Sequence, residues 1–289
     1  MIQKPDPRQS RSGTVVGADV GATLVKLVLR TDDGPTDLRV APADAIERVA
    51  REVASSRPAR VGLTGGGAPA LARLLNFDTT RADEFDAWRV GAGEMLRRER
   101  ADPIDRYLLV SLGTGTSAML VDGRSVTRVG GTALGGGTVV GLGAALIGTA
   151  SFDEIVALAR QGDRRNVDLL VSDIYRNGES PLPGALNASS FAKLARRIHE
   201  GPAAPRDLAH AIMGLVGENV GLICSGLAAA ARVTPIVFGG TTLRGNTSLV
   251  QILRVLSATT GHEAIFLENG EFAGALGALT LAVGRGGSD

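Results

Sequence analysis

Lysine is almost missing from this chain. Of its 31 basic residues only three are lysines, Lys4, Lys26 and Lys193, so arginine is the background choice for positive charge. A lysine inside the folded region goes against that background, and it offers a compact ammonium instead of a planar fork. Cysteine is limited to Cys224, which excludes an internal disulfide and any multi-cysteine zinc site. The three histidines, His199, His210 and His262, are scattered near helices or a loop and are given no role. Net charge is only +1, which removes the bulk electrostatic case for nucleic acid or an anionic membrane. No uncharged apolar run reaches the roughly 18 residues of a membrane helix. The opening "MIQKPDPRQSRSG" has no apolar stretch and does not read as a secretory signal. The expectation is a soluble cytoplasmic protein, with no nucleic-acid or membrane partner.

Glycine, in contrast, is plentiful, at 39 of 289 residues, in a chain that is 44% hydrophobic and long enough for one large or two modest domains. "TVVGADVG" (Thr14–Gly21) and "TLVKLVLR" (Thr23–Arg30) predict two strands joined by a tight glycine turn, with "PTDLRV" (Pro35–Val40) as a third. A helix over Ala43–Ser55, a strand and glycine loop over Ala59–Gly67, and a short helix near Pro69–Leu75 follow. A strong helix then covers Ala82–Arg98, with Asp83 at its N-cap. The pattern restarts at Arg106–Gly131 with strand, glycine turn, strand, turn, strand. Helices are predicted at Gly137–Gly148, Ser151–Gly162, Ser189–Glu200, Asp207 to about Arg232, Asn246–Gly261 and Ala273–Val283, with strands at Pro235–Thr241 and Glu263–Glu268. The plan is therefore two βββ-then-α halves. We expect an N-terminal lobe at 14–104, a C-terminal lobe at 105–283, and loose tails at 1–13 and 284–289. Two such lobes, each presenting a glycine turn, suggest a nucleotide site between them.

Four glycine-rich loops, each following an apolar strand, carry the chemistry. In "DVGATLVK", Gly21 and Thr23 offer N–H groups and a hydroxyl to an anion. Asp19 is placed to hold Mg²⁺, directly or through water, and Lys26 could reach a phosphate. "LGTGTS" (Leu112–Ser117), with Gly113 and Gly115 flanking Thr114, is the matching turn of the second half and reads as a second phosphate loop. "TGGG" (Thr64–Gly67) and "FGGTTLRGN" (Phe238–Asn246, with Gly239 and Gly240) are the other two. "ADEFDAW" carries Asp83, Glu84 and Asp86; one of them could take the proton from an acceptor hydroxyl, and spacing does not choose among the three. "RVGGTALGGGTVVGLG" (Arg128–Gly143) holds seven glycines in sixteen residues. It sets an arginine fork suited to a carboxylate just ahead of a helix N-terminus that a ligand can approach closely.

These stretches resemble the type II pantothenate kinases, the Fumble family of the acetate-and-sugar-kinase/Hsp70/actin superfamily. The resemblance runs from Thr14 to Leu281 and is strongest in "RVGGTALGGGTVVGLG", "SFDEIVALARQGDRRNVDLLVSDIY", "LVSLGTGTSAML", "NASSFAKL", "IVFGGTTLRGN" and "GEFAGALGAL". It implies an α/β, two-lobed actin-like ATPase (ribonuclease H-like) fold and ATP- and Mg²⁺-dependent phosphorylation of the terminal hydroxyl of pantothenate. It also implies a homodimer. By motif, Glu84 matches the catalytic base and Arg128 the arginine that grips the pantothenate carboxylate. Thr114 and Ser117 match hydroxyl residues lining the substrate site, and Asp19, Gly21, Thr23 and Lys26 match the first phosphate motif. Closure of the lobes would exclude water from the transfer. The chain departs from the family pattern at Ala22, where a second glycine is usual, and at Pro69 and Ala70. A kinase of the same fold acting on another pantothenate-like or unrelated hydroxyl is the rival reading. A non-catalytic regulator of the superfamily would bring a helix-turn-helix segment and a cysteine-rich zinc loop, and a single cysteine speaks against it. "GDRRNVDLLVSDIY" (Gly162–Tyr175) has no phosphate logic of its own.

Overall fold

The computed structural model describes residues 13–31, 36–175, 184, 186–196 and 201–284. The chain divides into two compact units, Met1–Pro103 with Asn269–Asp289, and Ile104–Glu268. The first unit opens with strands β1 (Val15–Val20), β2 (Leu24–Arg30) and β3 (Asp37–Pro42), an antiparallel meander. Helix α1 (Ile46–Ser55) follows and buries Val49, Ala50 and Val53 on one side. Strand β4 (Arg60–Thr64) then lies parallel to β1. Helix α2 (Ala68–Leu74) leads to the two-residue strand β5 (Thr80–Arg81), which pairs parallel with β4, and then to α3 (Glu84–Glu99). β1 is central in the sheet order β3-β2-β1-β4-β5. Accordingly it is buried along nearly its whole length, as its run of small and apolar residues requires.

The second unit repeats the plan. Strands β6 (Arg106–Leu112), β7 (Thr116–Asp122) and β8 (Ser125–Thr132) form the meander. Helices α4 (Gly136–Leu146) and α5 (Phe152–Ala159) follow, the latter capped by the Ser151 hydroxyl. A small two-stranded sheet joins β9 (Leu169–Leu170) and β10 (Asn187–Ser189), with the short helices α6 (Val171–Ile174) and α7 (Ala192–Arg196) beside it. The long α8 (Pro205–Ala231) ends where Arg232 turns left-handed. Strand β11 (Pro235–Gly239), helix α9 (Thr247–Thr259) and strand β12 (Glu263–Phe266) complete the unit. Its sheet order, β8-β7-β6-β11-β12, repeats that of the first sheet, with β11 parallel to both β6 and β12. The core under this sheet joins Leu108, Val110, Phe238 and Ile236 to Ile212, Met213, Val216 and Val220 of α8. α8 is long and apolar enough to cross a membrane, but most of its apolar span is buried in this core.

The closing helix α10 (Ala273–Gly284) corrects the expected lobe boundaries. The sequence pattern places it with the second lobe; in the structure it belongs to the first unit, against α3, β1 and β4. The reason is backbone-to-backbone packing that only missing side chains allow. A Cβ on Gly277 would lie 1.7 Å from the Ala87 carbonyl oxygen, and one on Gly91 would lie 1.8 Å from that of Ala273. The helix expected over Ser189–Glu200 is also shorter than predicted. Ser189 is in β10, and Phe191 sits at φ 62° with its N–H bonded to the Asp168 carboxylate, so the helix begins only at Ala192. Residues 197–200, His199 among them, and the tails 1–12 and 285–289 lie outside the described residues.

Candidate functional site

In the first unit the β1–β2 turn is closed by the Gly21 N–H donating to the Leu24 carbonyl at 3.0 Å. Asp19 and Lys26 are cross-strand partners in that hairpin, and Lys26 Nζ lies 3.4 Å from Asp19 Oδ2. Both side chains are largely removed from solvent. Burial pushes the Asp19 carboxyl up from its ordinary value, and the Lys26 ammonium opposes that rise. Gly65, at φ 85°, lies against the carboxylate: a Cβ there would be 2.7 Å from Asp19 Oδ1. Ala22 and Thr23 are exposed at the turn, and the Thr23 carbonyl accepts from the Ala43 N–H at 2.9 Å.

Glu84 is fixed to the same sheet through a short relay. Asp19 is in register with Thr64 at the end of β4. The Thr64 hydroxyl donates to the Ala82 carbonyl at 3.3 Å, and the Ala82 N–H donates to the Leu63 carbonyl at 2.9 Å. α3 therefore starts at a set point, with the Asp83 side chain accepting from the N–H groups of Phe85 and Asp86. This separates the three acids of "ADEFDAW". Asp83 is engaged as the cap, Asp86 pairs with Arg89 at 3.2 Å, and Glu84 is the one whose carboxyl responds to Asp19 and Lys26. Glu84 is exposed as a residue, yet the protein packed around its carboxyl pushes its pKa up. The negative charge of Asp19 adds to the rise and Lys26 opposes it.

In the second unit three loops meet. The Gly113 N–H donates to the Gly115 carbonyl at 2.9 Å, closing the β6–β7 turn. The N–H groups of Gly136 and Gly137, in the first turn of α4, donate to the carbonyls of Gly113 and Thr114 at 2.8 and 2.9 Å. The Thr242 hydroxyl, beyond β11, donates to the same Gly113 carbonyl at 2.8 Å. A side chain at Gly135 would press into this turn, 2.7 Å from the Thr114 carbonyl oxygen. At Gly135 of "TALGGGT" two backbones thus touch. Gly239 ends β11 in register with Ser111, and Gly240 follows at φ 118°.

Arg128 is brought beside Ser117 by an irregularity in β8. Ser117 pairs with Gly131 and Ala118 with Gly130, but Met119 pairs with Arg128, which leaves Val129 without a partner. In an unbroken strand residues 128 and 131 point to opposite faces; the extra residue sets them on one face. A Cβ on Gly131 would lie 2.9 Å from Arg128 Nη2 and 3.3 Å from the Ser117 Cα. The guanidinium is therefore beside Ser117, and Arg128 is exposed.

Sequence reasoning missed two features. The first is Thr242, a buried hydroxyl inside "FGGTTLRGN" that nothing in the sequence of that loop distinguishes from Thr241 beside it. The second is the meaning of "GDRRNVDLLVSDIY" and "NASSFAKL", which form a polar knot on α8. Arg164 bridges the fully buried Asp168 and Glu218 of α8, each at 2.8 Å, and Asn187 donates to Glu218 at 3.1 Å. Asn166 and the Asp163 N–H bind Asp207, and Lys193 pairs with Asp173 at 2.6 Å. Lys193 is thus part of the scaffold. His210 contacts the Gly162 carbonyl through Nδ1, and burial pushes the Cys224 thiol up to about 12.

Two copies of one sheet plan, each with a glycine turn after its first strand, define the two-lobed actin-like ATPase fold. Among solved structures the chain is similar to component A of the Acidaminococcus fermentans (R)-2-hydroxyglutaryl-CoA dehydratase. The TM-score is 0.65 at 16% identity, covering 96% of this chain and 100% of that one. It is also similar to a ROK family glucokinase from Streptomyces griseus solved with glucose and AMPPNP, with a TM-score of 0.57 at 15% identity, covering 94% and 100%. The model of the Fumble family matches residues 43–281, and the chain belongs to that family. A type II pantothenate kinase of Staphylococcus haemolyticus (strain JCSC1435) is 34% identical over 266 residues, 92% of this chain and 99% of that protein. One from Staphylococcus aureus (strain USA300) is 33% identical over 92% and 98%.

Proposed function

We propose that this chain is a pantothenate kinase. It transfers the γ-phosphoryl group of ATP to the terminal hydroxyl of pantothenate, giving 4'-phosphopantothenate in the first step of coenzyme A formation. The observation that carries this reading is the full-length match to enzymes named type II pantothenate kinase, 92% of this chain against 98–99% of theirs. In our reading Glu84 accepts the hydroxyl proton as the substrate oxygen bonds to the γ-phosphorus and the bond to the β-phosphate oxygen breaks, releasing ADP. Arg128 forms a bidentate pair with the pantothenate carboxylate, beside Ser117 and Thr114. The turns at Gly21–Lys26 and Gly113–Gly115, with Gly239 and Gly240, take the phosphates. A cavity of about 380 Å³ lined by Leu243, Asn246, Val250, Gln251 and Arg254 is our candidate seat for the nucleoside.

Magnesium fits this donor set in one way. Among the described residues no group of three or more metal-ligating side chains is gathered, so a resident ion has no cage. A single buried carboxylate, Asp19, suits an ion that arrives on the nucleotide and keeps most of its ligands from phosphate and water. Bound there, Mg²⁺ would neutralise phosphate charge.

The chain is also proposed to be a cytoplasmic homodimer. Leu222 and Ile223 of α8 and Val255 of α9 are exposed apolar side chains that a second copy would cover. Light scattering should then give twice the 29.7 kDa chain mass.

The test of function is an ADP-release assay over pantothenate, pantetheine, N-substituted pantothenamides and hexoses. Pantothenate should be turned over. If it is inert while another alcohol reacts, the chain is the paralogous kinase that Ala22, Pro69 and Ala70 leave open.

A further inference from the structure

We infer that Thr242 is a positioning residue for nucleotide binding, whose hydroxyl sets the Gly113–Gly115 turn against the loop after β11. This rests on the reading that the ATP phosphates lie on that turn. The parallel ladder between β6 and β11 ends at the Ser111–Gly239 pair. Beyond it the two backbones still touch, since a Cβ on Gly240 would lie 2.2 Å from the Leu112 carbonyl oxygen. One residue further along β6, the Gly113 carbonyl has no strand partner. The Thr242 hydroxyl, 2.8 Å away and buried, takes that place.

Thr242 is itself held. Its carbonyl accepts from Asn246 Nδ2 at 3.2 Å, and Asn246 is the buried N-cap of α9, accepting from the Leu249 N–H. The hydroxyl also touches the third loop, because a Cβ on Gly136 would lie 2.7 Å from Thr242 Oγ1. With the Gly136 N–H as second donor, the Gly113 carbonyl is bound inside the protein. A carbonyl oxygen left to swing would present negative charge to an approaching phosphate. A tied one keeps the turn open to the anion.

The test compares the full chain with Thr242→Val and Thr242→Ser. ATP and pantothenate are varied separately in the ADP-release assay, and binding of a non-hydrolysable ATP analogue is measured by calorimetry. Losing one hydrogen bond should raise the ATP KM and the analogue Kd of Thr242→Val by about 3- to 10-fold, with a smaller rise in pantothenate KM, since Thr114 of the same turn lines that site. Thr242→Ser, which keeps the hydroxyl, should stay close to wild type. The inference is overturned if Thr242→Val binds nucleotide normally, if Thr242→Ser is equally impaired, or if the pantothenate KM rises more than the ATP KM. A wild-type chain that neither binds the analogue nor releases ADP sinks the underlying reading, and this inference with it.

Discussion

At the scale of single residues, the site depends on charges whose surroundings differ. Glu84 is exposed, so its removal should cost activity and little stability. Glu84→Gln is expected to lower kcat by about 10²–10⁴-fold with the melting temperature and ATP binding near wild type; unchanged turnover would remove it as the base. Its environment also fixes a sign with pH. Burial and then the Asp19 charge disfavour the carboxylate, so the folded-state pKa is raised. A general base works only when deprotonated. kcat/KM should therefore rise with pH along a limb displaced above the ordinary glutamate range, and a limb within that range would count against the assignment. Lys26 is the opposite case. It is mostly buried and faces the buried Asp19, so Lys26→Met leaves a carboxylate without its counter-charge. We expect a loss on the order of 3 kcal/mol in urea unfolding, largely recovered in the Lys26→Met/Asp19→Asn double variant. If the double variant is no better than the single, the pair is not what the fold depends on.

At the scale of elements, the glycine-rich "RVGGTALGGGTVVGLG" divides into positions with different physical duties. Gly135 is pressed between backbones of the 113–115 turn, whereas Gly141 lies in α4 with no atom within 4 Å of where a Cβ would go. Gly141→Ala should stabilise the helix by about 0.5–1 kcal/mol, while Gly135→Ala should lower both the melting temperature and ATP affinity. Equal effects at the two sites would mean that the stretch is glycine-rich for chain flexibility alone. Sequence periodicity was enough for the long strands and helices, down to the Asp83 cap, because each carries several turns or alternations of signal. It could not find β5, β9 or β10, which span two or three residues and offer no period to read. The polar knot was invisible for a different reason: Arg164 and Glu218 are 54 positions apart, and only the fold makes them partners. Arg128 was readable as a residue, but the unpaired Val129 that turns it towards Ser117 is a property of the ladder.

At the scale of the whole molecule, the matching sheet orders make the two units look equivalent, yet the path of the chain does not treat them alike. The second unit is one continuous segment, Ile104–Glu268, whereas the first is assembled from the two ends of the sequence. Its missing piece is not peripheral. α10 buries Ala273, Ala275, Leu276, Ala278 and Leu279, and its backbone rests directly on Gly17 of β1 and Gly62 of β4. The closing helix thus covers the strand that carries Asp19 and the strand whose end positions Glu84. Closing a loop that spans nearly the whole chain costs conformational entropy that the second unit never meets, and contacts between distant segments form slowly. We therefore expect the second unit to fold first. In pulse-labelled hydrogen exchange during refolding, amides of β6, β7 and β11 should gain protection before those of β1, β2 and β4. A chain ending at Glu268 should keep the former protected and lose protection across the latter. Simultaneous protection of both sheets, or an intact first sheet in the shortened chain, would show that the first unit does not need its closing helix to place Asp19, Lys26 and Glu84.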